Sequence, residues 1–204
     1  MQTETELITH LNVARNTVRE AIKVLVYLGL LEIRRPNGTY VSNGFSDKML
    51  NPLLYSLILE DSDSVDIIEL RNILEVSSVS LAIEKATTFD LEKIKEQYEL
   101  LCELLRIHPN DYDAIVEKDI EFHAKISNAT HNTLISRIYA IITQLTIPTR
   151  LKTTQKIIET GNIDFLYRTH GEILQIIQNK EIYRVTEVVS KSFMYWTDIV
   201  STGQ

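Results

Sequence analysis

Apolar residues recur along most of the chain with the three-and-four spacing of one buried helix face. Two such stripes lie within the first thirty residues and consist of Leu7, Ile8 and Leu11, then Val18, Ala21, Ile22 and Leu25. Two β-type runs follow, LLEIRR and TYVSN, joined through an Asn-Gly pair that is typical of a hairpin turn. Helix, turn, helix and hairpin in this order predict a winged helix-turn-helix over residues 1–43.

The remainder of the chain keeps the helical period and carries no strand pattern. A polar stretch at 44–51 is predicted to be a linker. Helices are then predicted at 52–60, 64–86, 89–107, 111–129, 132–150, 163–179 and 181–200. The fold class is therefore mostly α, with a winged helix-turn-helix followed by an all-helical domain over 52–204.

The charge is unevenly divided between these two parts. The 204 residues carry a net charge of −7. Residues 1–41 hold five of the 21 Lys and Arg and four of the 28 acidic residues, so the first part is at +1 and the rest at −8. This asymmetry fits a small DNA-binding module on an acidic body. The sequence shows no signal peptide and no apolar run long enough to cross a bilayer, and Cys102 is its single cysteine, so we expect a cytoplasmic protein.

The segments ARNTVREAI, from Ala14, and GLLEIRRPNGTYV, from Gly29, carry a family pattern. Together they resemble the GntR family of bacterial regulators across residues 3–41. The resemblance implies that the DNA-binding residues are Arg15, Asn16, Thr17 and Arg19, at the start of the recognition helix, and Gly38 at the wing tip. Arginine near a helix N-terminus opposes the helix dipole, which indicates a role other than stability. The alternative is that both arginines are solvated surface charges.

The family has one more helix before the position that matches Met1. The resemblance therefore predicts a winged domain that is shortened at its N-terminus. It also predicts weak DNA binding, or none, by the chain as given. The family often has arginine in the preceding helix where this chain has Thr5.

Polar residues interrupt the apolar stripes of three predicted helices. Asp119 and His123 lie one turn apart in the stripe of 111–129, His170 lies in that of 163–179, and Ser192 in that of the last helix. A buried carboxylate is costly unless it is paired or bound to a metal. Each residue alone is better explained as a hydrogen-bonded core residue, but three such helices together predict one shared site.

Several short motifs of this part resemble the ligand-binding FCD domain of the FadR-type branch of GntR regulators. They are Glu69-Leu-Arg-Asn-Ile-Leu-Glu75, Lys118-Asp-Ile-Glu-Phe-His123, His131-Asn132 and His170-x-x-Ile-Leu174. The resemblance implies that Asp119, His123 and His170 hold a divalent metal, for which Zn²⁺, Ni²⁺ and Mn²⁺ are the candidates. Ser192 occupies the fourth family ligand position. Arg71, Asn132 and Ser192 are the predicted ligand-binding residues, and Arg71 either binds a carboxylate or pairs with Glu75.

The predicted function is a DNA-binding transcription regulator, in the usual family mode a repressor. It would sense a small organic acid and bind a palindromic operator as a homodimer, because a two-fold protein reads two half-sites. One alternative is a metal-dependent enzyme, since two histidines and a carboxylate with an open position also describe a catalytic metal site. The sequence has no H-E-x-x-H motif, nucleophile elbow or Gly-rich phosphate loop, so we expect no enzyme. The other alternative is a sensor that no longer binds DNA.

Overall fold

The computed structural model describes residues 3–34, 36, 38–43 and 65–196, which fall into two compact units, residues 1–59 and 60–204. The predicted linker at 44–51 and the predicted helix at 52–60 lie outside the described residues. No helix among the described residues is long and apolar enough to cross a membrane.

The first unit is a small helix-turn-helix with a hairpin. Its elements are α1 (Glu4–Leu11), α2 (Arg15–Tyr27), β1 (Leu31–Arg34) and β2 (Gly38–Val41). Thr3 caps α1 and exchanges hydrogen bonds with Glu6 in a capping box. Asn12 ends α1 with a φ of 51°, in the left-handed region that asparagine tolerates, and so makes the turn into α2. The two strands pair antiparallel with Arg34 opposite Gly38, as the hairpin prediction required.

The buried core in the described part of this unit is small. It consists of Val18, Ile22 and Leu31, and α1 has no fully buried residue. Several large apolar side chains around it are exposed, namely Leu11, Val13, Val24, Leu25, Tyr27, Leu30, Ile33 and Val41. The apolar surface of this unit is therefore large relative to its core.

The described part of the second unit is helical throughout. Its helices are α3 (Val65–Lys85), α4 (Thr88–Ile107), α5 (Tyr112–Ala129), α6 (Thr133–Leu145), α7 (Ile147–Glu159), α8 (Ile163–Gln178) and α9 (Val185–Ser192), with a 3₁₀ turn at Ile182–Arg184. Helix α5 packs against α3, α4, α6 and α7, and α8 packs against α3, α4, α7 and α9. The main core, which includes Ile94, Phe122, Ile126, Ile173 and Val188, lies between these helices.

Two predicted helices differ in the structure. The single helix predicted at 132–150 is wrong: α6 ends at Leu145, and α7 begins at Ile147 and continues to Glu159. Pro148 explains the break, because proline lacks an N–H and fits the first turn of a new helix. The helix predicted at 181–200 is divided: a 3₁₀ turn comes first, α9 runs from Val185 to Ser192, a further helical turn follows at 194–196, and residues 197–200 lie outside the described residues.

Candidate metal and anion site

Three side chains from two helices of the second unit meet in one place. Helix α5 presents Asp119 and His123 one turn apart, and α8 presents His170. Asp119 Oδ1 lies 2.8 Å from His170 Nε2 and 3.6 Å from His123 Nε2. One ligand atom from each residue lies within 4.8 Å of the other two. Both histidines are buried, so this is an interior cluster and not a surface group of charges.

The second nitrogen of each imidazole faces a group that only accepts hydrogen bonds. His123 Nδ1 lies against Glu75 Oε1, and His170 Nδ1 lies 2.8 Å from the carbonyl oxygen of Leu166. Each Nδ1 can therefore carry a proton and donate it. A bound metal would then take the Nε2 lone pair of each neutral ring, in place of the hydrogen bond that Asp119 Oδ1 accepts from His170 Nε2.

This donor set fits a divalent metal. Ligand atoms around a tetrahedral zinc lie roughly 3.3 Å apart, which is close to the spacing of the carboxylate and the two Nε2 atoms. The Nδ1 atom of each imidazole already has a hydrogen-bond acceptor outside the candidate ligand set, as is usual for metal-binding histidines. Asp119, His123 and His170 would hold the ion and leave at least one coordination position open.

Buried charges around the cluster keep its acids ionised. Burial alone would raise the pKa of Asp119, but the Arg150 charge and hydrogen bonds from both histidines hold this pKa well below its usual range. Burial likewise opposes ionisation of Glu75, yet His123, Arg71 and the Tyr139 hydroxyl lower its pKa to about 2. The same neighbours act on the imidazole in reverse: burial lowers the pKa of His123, and the Glu75 and Asp119 carboxylates more than offset it, so the pKa is raised.

Two arginines form the cationic side of the site. Arg71, from α3, is 4% exposed, and Arg150, from α7, is 1% exposed. Arg150 Nη1 donates to Asp119 Oδ2, and the guanidinium of Arg71 lies 3.7 Å above the ring of Trp196. Four guanidinium nitrogens are buried without a hydrogen-bond partner among the described residues, namely Nε and Nη1 of Arg71 and Nε and Nη2 of Arg150.

A cavity of about 30 Å³ joins the cluster to the two arginines. Its polar lining comprises Arg71, Asp119, His123, Arg150, Thr153, Thr154, Thr169, His170 and Ser192, and its apolar lining Ile157, Phe165, Leu166 and Trp196. The hydroxyls of Thr153, Thr169 and Ser192 donate to backbone carbonyls of their own helices, so their lone pairs remain for a ligand.

The predicted residues do not all reach this cavity. Arg71 and Ser192 line it, whereas Asn132 does not. Asn132 caps α6, where its Oδ1 accepts from the backbone N–H groups of Leu134 and Ile135. Glu75 accepts from His123 and from the Tyr139 hydroxyl, which differs from the simple pairing with Arg71 considered above.

Sequence reasoning missed Arg150 and Tyr139. Arg150 lies at the end of the predicted helix 132–150, where no apolar stripe surrounded it to mark it as buried. Tyr139 lies in the apolar run IYAII, where the pattern predicts a buried ring and gives no sign of a role for its hydroxyl. Their partners lie on other helices, and the sequence offers no signal for such pairings.

In the first unit, the residues predicted to contact DNA lie at the start of α2 or at the hairpin tip. Arg15, Asn16, Thr17 and Arg19 are all exposed, and Ala14 caps the helix without a side-chain hydrogen bond. Arg19 Nε lies 3.3 Å from Glu4 Oε2, an exposed ion pair of little energetic weight. Gly38 has a φ of 113°, a conformation that strongly favours glycine.

Comparison with known proteins finds a family model that matches each of the two units. A model of the bacterial regulatory proteins of the gntR family matches residues 3–41, and a model of the FCD domain matches residues 66–192. The chain belongs to the gntR family and carries an FCD domain. The predicted recognition-helix segment lies inside the first match, and the three residues of the candidate metal site lie inside the second.

Individual relatives agree with this assignment. The HTH-type transcriptional regulator LutR of Bacillus subtilis (strain 168) is 30% identical over 168 residues, covering 81% of this chain and 74% of LutR. The Galactonate operon transcriptional repressor of Escherichia coli (strain K12) is 27% identical over 146 residues, covering 70% of this chain and 62% of the repressor. The solved structure of Streptococcus agalactiae GntR shares the fold, with a TM-score of 0.60 at 21% identity over 99% of this chain and 88% of that one. The comparisons thus place the chain in a regulator family and not in an enzyme family.

Proposed function

We propose that the chain is a DNA-binding transcription regulator whose FCD domain binds a small organic acid with the help of a divalent metal. The observation that carries this proposal is the buried cavity in which the Asp119 carboxylate and the Nε2 atoms of two histidines lie beside two arginines whose donors have no partner among the described residues. A metal bound by three protein side chains would supply an open position for a carboxylate oxygen. Unpartnered buried guanidinium groups favour an anion on the other side.

The names of the relatives support the class of effector. One of them is the repressor of a galactonate operon, and galactonate is a small hydroxy acid. Such an acid offers a carboxylate for the metal or an arginine and hydroxyls for the threonine oxygens of the cavity. The same name favours repression as the mode of regulation. A metal-dependent enzyme is less well supported, since the matched family consists of regulators.

Operator binding is proposed to use the exposed N-terminal turn of α2 and the hairpin tip. A guanidinium can bind guanine through two hydrogen bonds in the major groove, and Arg15 and Arg19 are both exposed, with Arg19 in a weak surface ion pair with Glu4. Gly38, the first residue of β2, has no side chain, so the backbone at this position could approach a minor groove closely.

In a chain whose winged domain is complete, we expect Arg15→Ala and Arg19→Ala each to weaken DNA binding. Loss of a bidentate base contact should reduce the binding free energy by roughly 1–3 kcal/mol and relax the preference at one base pair. Loss of a phosphate contact should instead weaken all sequences alike and flatten the salt dependence. Gel shifts on the DNA upstream of the gene, and on duplexes selected from a random pool, measure this.

Lys23→Ala is the matched control, because Lys23 is an exposed cation farther along the same helix and pairs with Glu20. It should leave the sequence preference unchanged. Arginine variants that bind every duplex as wild type does would reject the recognition-helix assignment. A chain that selects no duplex at all would favour the sensor without DNA binding.

A homodimer is proposed through neighbouring faces of α3 and α6. Helix α3 exposes Leu70 and, to 63%, Ile73, and it packs against α6, which exposes Leu134 and Ile138. Exposed apolar stripes on two adjacent helices are typical of a surface that another chain covers. A two-fold axis through this face would pair the patch with its own copy and present two DNA-binding units to a palindrome.

Sedimentation of the full chain should therefore show a dimer at micromolar concentration. Ile138→Glu should weaken the dimer by roughly tenfold or more, because a charge would be buried without a partner. Ile182→Glu is the control, since Ile182 is exposed but lies in the 3₁₀ turn, outside α3 and α6. Only monomer in the wild type, or equal effects of the two variants, would contradict the proposed face.

Zinc affinity should fall as the pH is lowered. The Nε2 of His123 binds a metal only when the ring is neutral, and the raised pKa of His123 means that protonation begins above the ordinary value of about 6.5. The loss should approach tenfold per pH unit below the raised pKa. Zinc titrations from about pH 8 to about pH 6 measure it. An affinity that stays constant over this range would exclude a histidine ligand.

A further inference from the structure

We infer that the ligand of this cavity carries two negative charges, one facing the metal cluster and the other held by Arg71 and Arg150. The inference rests on the proposed metal-assisted carboxylate site and narrows its ligand to a short dicarboxylate class. Its starting point is the four buried guanidinium nitrogens that have no acceptor. Buried charged donors are almost always hydrogen-bonded in folded proteins, so these atoms mark the place of a missing acceptor.

The protein's own carboxylates are already committed. Asp119 accepts from Arg150 and from His170, and Glu75 accepts from His123 and from Tyr139. Asp119 is the only carboxylate among the described residues that line the cavity. The free donors of the arginines are therefore available to an anion that the described residues do not supply.

The orientation of Arg150 indicates how that anion binds. Its Nη1 holds Asp119, and its two unpartnered atoms, Nε and Nη2, form the side edge of the guanidinium. This edge binds a carboxylate through two parallel hydrogen bonds. Arg150 is thus placed to hold Asp119 with one atom and a ligand carboxylate with two others. Trp196 lies against the face of Arg71 and keeps that second guanidinium at the cavity.

A count of the buried charges gives the same result. Arg71 and Arg150 contribute two positive charges, Asp119 and Glu75 two negative charges, and the two imidazoles are neutral when they bind a metal. These four side chains therefore carry no net charge, and a divalent ion adds two positive charges. A ligand with one carboxylate leaves one buried positive charge uncompensated, whereas a dicarboxylate leaves none.

The apolar walls restrict the length of the ligand. Ile157, Phe165, Leu166 and Trp196 line the cavity beside the polar groups, and the cavity is small, at about 30 Å³. A long chain or a bulky ring would have to displace these packed side chains. A compact acid whose two carboxylates are separated by one or two carbon atoms suits this space better.

Matched pairs of acids test the inference on the zinc-loaded full chain. Malonate, succinate and L-malate would be titrated calorimetrically beside malonamate, succinamate and L-lactate, which keep one carboxylate and lack the second. At least one dicarboxylate should bind roughly tenfold or more tightly than its monoanionic counterpart. Arg71→Met should reduce this preference to about twofold, because methionine keeps contact with Trp196 but lacks the charge. Arg168→Met, at an exposed position of α8, should leave it unchanged.

The outcomes separate this inference from the proposed function. If lactate and the monoamides bind as tightly as the dicarboxylates, the two-charge ligand is rejected and the metal-assisted carboxylate site stands. If no acid of the panel binds the zinc-loaded chain, both are rejected. The wild-type comparison needs no variant, so a folding defect in Arg71→Met would not prevent the test.

Discussion

Asp119→Asn should weaken zinc binding by the full chain roughly a hundredfold and lower the free energy of unfolding of the metal-free chain by about 3 kcal/mol. The substitution should change both zinc affinity and stability because Asp119 is both a proposed ligand and the partner of Arg150. The amide keeps the size of the carboxylate but loses its charge, which leaves the buried guanidinium unbalanced. Asp119 is itself 17% exposed, so we expect the lower end of the range for buried pairs.

Zinc titration against a chelator and chemical denaturation measure the two effects separately. Glu117→Gln is the matched control, because it removes an exposed acid from the same helix two residues away. It should change neither quantity appreciably. Unchanged zinc affinity in Asp119→Asn would remove the carboxylate from the ligand set, whatever its effect on stability.

Ser192→His should raise zinc affinity roughly tenfold or more. Ser192 lies at the cavity from α9 and occupies the position where the family resemblance places a fourth ligand. An imidazole there would enter a site whose other ligands are already oriented, so little further ordering is needed. Metal bound only to the folded chain should also raise the melting temperature of the variant further than that of wild type at equal zinc.

Ser190→His provides the control, since Ser190 is exposed on the same helix. Its zinc affinity should equal that of wild type. If neither the wild type nor Ser192→His binds zinc, Asp119, His123 and His170 form a polar cluster that is held by its own hydrogen bonds or binds a purely organic ligand. The proposal that this site binds a metal would then be rejected.

The sequence predicted the helical fold because apolar stripes mark the buried face of each helix. The break between α6 and α7 was missed although Pro148 signals it, because the apolar residues on either side continue the helical period. Asp119, His123 and His170 were found for a related reason: a polar residue inside a buried stripe stands out against its neighbours.

The remaining residues of the site could not be predicted in this way. Arg150 and Tyr139 act through partners on other helices, and these pairings depend on how the bundle packs. Asn132 shows the opposite case. The His131-Asn132 motif predicts that this residue binds the ligand. In the structure Asn132 caps α6, which is a common role of asparagine before a helix.

The proposal that this cavity regulates DNA binding is tested most directly by measuring DNA affinity with the cavity empty and with zinc and acid bound. A labelled duplex selected by the chain would be titrated with wild type and Asp119→Asn, each with and without zinc and the acid of the panel that binds most tightly. In wild type, zinc and acid together should change the DNA affinity by roughly fivefold or more, which is the usual lower range of coupling between two sites. Asp119→Asn should bind DNA with one affinity in all conditions. A wild-type affinity that is the same with and without zinc and acid would contradict the proposal that this cavity regulates DNA binding.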